Sequence, residues 1–141
     1  MARVDIIVCE RTGNWAAGLR RVAPDFSALV SETRSWTECQ SAMERSQQPI
    51  VAAEATVGNL PHALHYVSTW HRRYPHAVTI VLAARGLETC EDALREAGAA
   101  HVMSSPRQIS ELVSIIERHL DRWRAPQSLA DEVWESLPWP T

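Results

Sequence analysis

Five short apolar runs, each followed by a stretch of helical period, recur along the first 124 residues, and this alternation constrains the fold more than any other feature. The runs are Val4 to Cys9, interrupted only by Asp5; Ser27 to Thr33, centred on Ala28-Leu29-Val30; Pro49 to Ala55; Ala77 to Ala84; and Ala100 to Ser104. Continuous apolar runs of this length suit strands buried on both faces. Ala77 to Ala84 is the clearest, being rich in β-branched residues.

The intervening segments read as helices. Gly13-Asn14 opens one with Trp15, Leu19, Val22 and Phe26 at helical spacing, closed by Pro24 and Asp25. Thr37 is the expected N-cap of a second, running through Arg45 with Ala42 and Met43 inward. A third begins at Asn59 or Leu60, carries Ala63, Val67, Trp70 and Tyr74 on one stripe and stops at Pro75. Glu88 to Ala97 predicts a fourth, ended by Gly98. Ser105 to Arg124 has the strongest period, with Ile109, Leu112, Ile116, Leu120 and Trp123. A β-α unit repeated five times implies an α/β fold of three layers: a doubly wound, five-stranded parallel sheet with helices on both faces, in the flavodoxin-like strand order 2-1-3-4-5. In such sheets ligands sit at the carboxyl ends of the strands, where the order reverses, so function belongs in the loops after Cys9, Ala55, Ala84 and Ser104.

Composition then removes several chemistries. A chain of 141 residues, 45 % hydrophobic, is long enough for one domain with its own core. All 14 basic residues are arginine; the absence of lysine excludes a Schiff-base enzyme and a P-loop phosphate site. A net charge of -3 argues against broad, salt-driven binding to nucleic acid. The loop Glu10-Arg11-Thr12-Gly13-Asn14 has one glycine where a dinucleotide fingerprint wants three, and it lacks the Ser/Thr richness of a flavin loop, so no cofactor is expected. Cys9, Cys39 and Cys90 form no C-x-x-C pair and read as reduced thiols. His62 and His65 share a helix face without partners to complete a metal site, so no metal is expected. Neither a signal peptide nor a membrane span is apparent, and a cytoplasmic protein without membrane contact is expected.

Four segments of residues 3 to 124 together resemble the receiver domains of two-component response regulators, the CheY-like family. Arg3-Val-Asp-Ile-Ile-Val-Cys-Glu10 resembles the family's first strand, which ends in two adjacent acids. Pro49-Ile-Val-Ala-Ala-Glu54 resembles the third, which ends in the phospho-accepting aspartate. Thr79-Ile-Val-Leu-Ala83-Ala84 resembles the fourth, which closes with Ser/Thr then Ala. Ala97-Gly98-Ala-Ala-His-Val-Met-Ser-Ser105-Pro106 resembles the stretch that ends in Lys-Pro before a long amphipathic helix, and is the most specific of the four.

The resemblance fits the fold better than the chemistry. Phosphoryl transfer to a carboxylate needs a nucleophilic aspartate, acids to hold Mg²⁺, and a cation with a hydroxyl for the phosphoryl oxygens. The resemblance puts Cys9 and Glu10 at the two metal-ligand positions, Glu54 at the acceptor, Ala83 at the hydroxyl and Ser105 at the lysine. The expectation is a receiver-like module that is not phosphorylated. Glu54 then either mimics a phosphorylated state by its fixed charge or is a polar strand-end residue paired with Arg11 or Arg85. On the fifth strand His101 and Met103 are the candidates for the place of the family's responsive aromatic, and His101 reads either as that stand-in or as a solvated residue at the strand end.

Residues 125 to 141 fall outside the repeats and form an acidic tail. Up to residue 124 there are 14 acids and 14 arginines, so the net charge resides in Asp131, Glu132 and Glu135. With Trp134 and Trp139 as anchors the tail reads either as a docking segment or as a flap over apolar surface of its own domain or a dimer mate. The leading function is therefore a non-catalytic pseudo-receiver that binds a signalling protein, or a second copy of itself, through the helix-strand-helix region of residues 88 to 124. Arg118, Arg122 and Trp123 belong to that interaction surface. The alternatives are an atypical response regulator that is still phosphorylated, and a small-ligand binder or enzyme using Cys9 and Glu10 at the end of the first strand. A carboxylate beside a thiol raises the thiol's pKa, which counts against the last of these.

Overall fold

The computed structural model describes residues 4–121; Arg122, Trp123, Trp134, Trp139 and the acidic tail lie outside them. Five parallel strands, β1 (Val4–Cys9), β2 (Val30–Thr33), β3 (Gln48–Ala55), β4 (Val78–Ala83) and β5 (His101–Met103), stand in the order β2-β1-β3-β4-β5. Helices α1 (Asn14–Val22), α2 (Trp36–Arg45), α3 (Leu60–Arg73), α4 (Glu91–Ala97) and α5 (residues 109–121) alternate with them. The expected α/β architecture and strand order are those observed.

Both faces of the sheet are covered because its strands are apolar on both sides. Ile6 and Val8 of β1, Ile50 and Ala52 of β3, and Val78, Ile80 and Leu82 of β4 pack with Trp15 and Leu19 of α1 and Leu112 and Ile116 of α5. The residues between them face the other way. Ile7, Cys9, Val51 and Ala53 meet Cys39 and Met43 of α2 and Trp70 of α3. Ala55, Val81 and Ala83 meet Val67 of α3 and Leu94 of α4. Trp70 is fully buried, and its indole N–H donates to Gln40 Oε1 at 2.5 Å.

Boundaries depart from the sequence reading where local capping outweighs apolar content. Strand β2 starts at Val30; Ala28 and Leu29 precede it, although the Leu29 carbonyl still accepts from Ile6 N–H at 2.9 Å. Helix α1 ends at Val22, which is 43 % exposed rather than inward, while Phe26 reaches the core from a 3-10 turn over Pro24–Phe26. Ser35, not Thr37, caps α2: its hydroxyl accepts from Glu38 N–H at 3.1 Å, and the Glu38 carboxylate returns to Arg34 N–H at 2.9 Å. A 3-10 turn over Glu88–Cys90 precedes α4, and another over Pro106–Gln108 precedes α5. Gly98 closes α4 at φ 130°, and its own N–H bonds back to Arg95 O at 3.0 Å.

Candidate functional site

The carboxyl ends of β1 and β3 sit side by side because those strands pair in register, with Cys9 opposite Ala53. Just beyond them lies a cleft of about 280 Å³ lined by Cys9, Glu10, Arg11, Arg34, Ser35, Trp36, Glu54 and Asn59. Three of the residues singled out from the sequence, Cys9, Glu10 and Glu54, thus come together. Ala83 lies one strand further on, in a separate cleft of about 150 Å³ with Ala84, Leu87 and Ser104. Ser105 follows β5; its hydroxyl accepts from Arg107 N–H at 3.2 Å, and its own N–H donates to Gln108 Oε1 at 3.1 Å. Pro106 opens the 3-10 turn that leads into α5.

Glu10 is the most constrained group in the cleft. It is only 3 % exposed, yet it is well satisfied. Oε1 accepts the N–H of Trp15 and Oε2 that of Ala16, each at 2.9 Å. The residue at the N-cap position of α1 is Gly13, in the left-handed region at φ 85°, which has no side chain to offer. Glu10 supplies from upstream what a capping side chain would, and its charge meets the positive end of the helix. Glycine at position 13 also leaves room for a neighbouring ion pair: an added Cβ would lie 3.1 Å from Arg34 Nη2 and 3.3 Å from Glu32 Oε1.

Arg34 and Asn59, which the sequence reading did not single out, complete the site. The Arg34 guanidinium donates to the Glu10 carbonyl at 3.3 Å and to Glu32 Oε1 at 2.9 Å. Glu32 takes a second bond from Arg20 at 2.6 Å, and the bonds from Arg20 and Arg34 hold its carboxyl below the usual range. Asn59 fastens the loop after β3: it donates to the Glu54 carbonyl at 3.2 Å, while Asn59 and Thr56 exchange bonds at 2.7 and 3.1 Å. The Glu54 carboxylate is half-buried, and among the described residues it forms no ion pair with Arg11 or Arg85. On the rim, the Trp36 indole stacks on Tyr66 with centroids 5.4 Å apart and planes 9° from parallel.

The Cys9 thiol differs from expectation. It lies below its ordinary value of 9.0, chiefly because Cys39 donates a hydrogen bond to it. Burial and the charges of Glu38 and Glu54 act in the opposite direction. Glu10, whose carboxylate was expected to raise it, points into the start of α1 instead.

Neither a protein-family model nor a curated protein matches the chain in sequence. Solved structures do match in shape. An orphan response regulator of H. pylori superposes with a TM-score of 0.67 at 20 % identity, over 82 % of this chain and 96 % of its own. The signal receiver domain of an HD domain-containing protein from Pseudomonas fluorescens gives 0.69 at 17 %, over 91 % and 94 %. This chain has the receiver fold. An adenylate cyclase from Rhodopirellula baltica also matches, with a TM-score of 0.68 at 15 % identity, over 97 % of this chain and all of that one. Among the described residues, no group of three or more His, Cys, Asp or Glu side chains is placed to hold a metal ion, and no helix is long and apolar enough to cross a membrane.

Proposed function

We propose that this chain is a pseudo-receiver: an interaction module on the receiver fold that binds a signalling protein without being phosphorylated. The observation that carries the reading is the state of Glu10. It is the one acid left at the metal-ligand positions, and both its oxygens hold the backbone of α1. A divalent cation would have to share or displace those bonds, beside the positive charge of Arg34. The other positions support the same reading. Cys9 offers a thiol where a hard cation favours oxygen, Ala83 has no hydroxyl to donate, and Ser105 has no charge to set against a phosphoryl group.

The surface proposed for the partner, or for a second copy of the chain, is α4, β5 and α5. Its described part carries mixed charge: Glu91 pairs with Arg95 at 2.9 Å on α4, and Arg118 stands exposed on α5. Glu54 contributes a fixed negative charge at the end of β3. Incubating the full chain with a labelled acyl phosphate and Mg²⁺ tests the reading. The expected result is no incorporated label and no gain in mass; a stable label on Glu54 overturns it.

A further inference from the structure

Two cysteines far apart in sequence meet beneath the cleft. Cys9 ends β1, and Cys39 lies in the first turn of α2. Both converge on the carbonyl of Ser35, which accepts the Cys9 thiol at 3.4 Å and the Cys39 backbone N–H at 3.0 Å. Thr33 stands opposite Cys9 in the β1–β2 ladder and donates its hydroxyl to the Val8 carbonyl at 3.4 Å, and the two thiols lie near enough to shift one another's proton affinity, Cys9 down and Cys39 up. They share one core cluster with Met43, Val51 and Trp70. Cys39 is wholly enclosed, whereas Cys9 is 5 % exposed and lines the cleft. A small solute therefore reaches one sulfur of the pair and not the other.

We propose that Cys9 and Cys39 form a dithiol–disulfide site that a hydroperoxide oxidises, with Cys9 attacking the peroxide and Cys39 resolving the product. The asymmetry in access sets the order. Cys9 loses its proton and its sulfur attacks one peroxide oxygen; the O–O bond breaks, and the departing hydroxide takes up a proton to leave as water. Cys9 is then a sulfenic acid. The Cys39 sulfur attacks it, the S–O bond breaks, and the hydroxyl leaves with the Cys39 proton as a second water. Two thiols are oxidised to one disulfide as one hydrogen peroxide is reduced to two waters. The hydrogen bond from Cys39 favours the Cys9 thiolate and keeps the proton on Cys39 until that second step. Oxidation also removes the Cys9 thiol proton that now binds Ser35, and ties the end of β1 to the start of α2 at the cleft wall. Cys90 belongs to a different cluster, near Leu87 and Leu94, and serves as an internal control.

The test treats the folded full chain with hydrogen peroxide, blocks free thiols with an alkylating reagent under denaturing conditions and maps the peptides by mass. The expected product has lost two hydrogens, yields a peptide pair joined through Cys9 and Cys39, and carries the alkyl group on Cys90. In Cys39→Ser, a sulfenic-acid-specific diketone is expected to label Cys9. Three alkylated cysteines after peroxide overturn the proposal. So does a disulfide involving Cys90, or a sulfinic acid on Cys9 with Cys39 still alkylated. The wild-type reading stands alone should the variant fail to fold.

Discussion

Glu10 shows how one carboxylate can be committed to holding a helix rather than binding a ligand. A buried charge is costly unless hydrogen-bonded, and this one is satisfied by two backbone donors that α1 would otherwise leave without partners. Glu10→Ala removes the cap and orphans both N–H groups inside the protein. The expected loss is about 2 kcal/mol or more in urea unfolding. Glu10→Gln retains the shape but replaces one acceptor by an amide NH₂, so it should fall between wild type and alanine. Equal stability of all three proteins would show that the cap contributes nothing. The sequence placed Glu10 at the strand end but did not reveal this role, because a cap reaching in from upstream leaves no pattern at the N-cap position, which is occupied by Gly13. Arg34 was missed for a similar reason: its partners, Glu32 and the Glu10 carbonyl, are brought together only by the pairing of β1 with β2.

At the level of elements, the passage from α4 to β5 depends on a close approach. Gly98 adopts φ 130°, and a Cβ built there would stand 2.4 Å from His71 Cβ on α3. Gly98→Ala should therefore cost about 2 to 3 kcal/mol, the usual penalty for such backbone strain. Trimming His71 to alanine should rescue it only in part, since that removes Cγ, 2.6 Å from the added Cβ, but keeps the His71 Cβ at 2.4 Å; full rescue would refute the steric account. Beyond this turn, the His101 ring of β5 lies 6.1 Å from that of His119 on α5. Burial, then the charges of Arg118 and Arg95, hold His101 below its ordinary value of 6.5, against a weaker opposing effect of Glu111. Between that lowered value and 6.5 the unfolded chain binds more protons, so His101 makes stability fall as the pH drops through this window. Stability measured from neutral to mildly acid pH should decline less in His101→Gln than in wild type; parallel curves would exclude the effect. Element identity was legible in the sequence throughout, since apolar runs and helical stripes are long signals. The ends of α1, β2 and α2 were not, because they are decided by single hydrogen bonds such as Ser35 to Glu38.

For the whole molecule, β-α alternation and the right-handed crossover rule leave few arrangements, and the order β2-β1-β3-β4-β5 is among them. The position of the cleft follows from that order, and so was readable; its lining depended on the orientation of side chains and was readable only in part. If Glu10 is fully engaged, excess Mg²⁺ should leave the thermal midpoint unchanged. A cation held at 100 times its Kd would add about 2.7 kcal/mol, a rise of several degrees, and such a rise would show that the carboxylates do bind it. The alternation of side chains on β1, β3 and β4 has a consequence of its own. On these strands even-numbered residues belong to the layer beneath α1 and α5, and odd-numbered ones to the layer beneath α2, α3 and α4. Numbering parity therefore works as a phase. A substitution injures one layer and spares the other, whereas one residue inserted or deleted within β1 would exchange Ile6 and Val8 for Ile7 and Cys9 and mismatch both layers at once. The strands of this protein tolerate changes of letter far better than changes of phase, and its length is free to vary only in the loops.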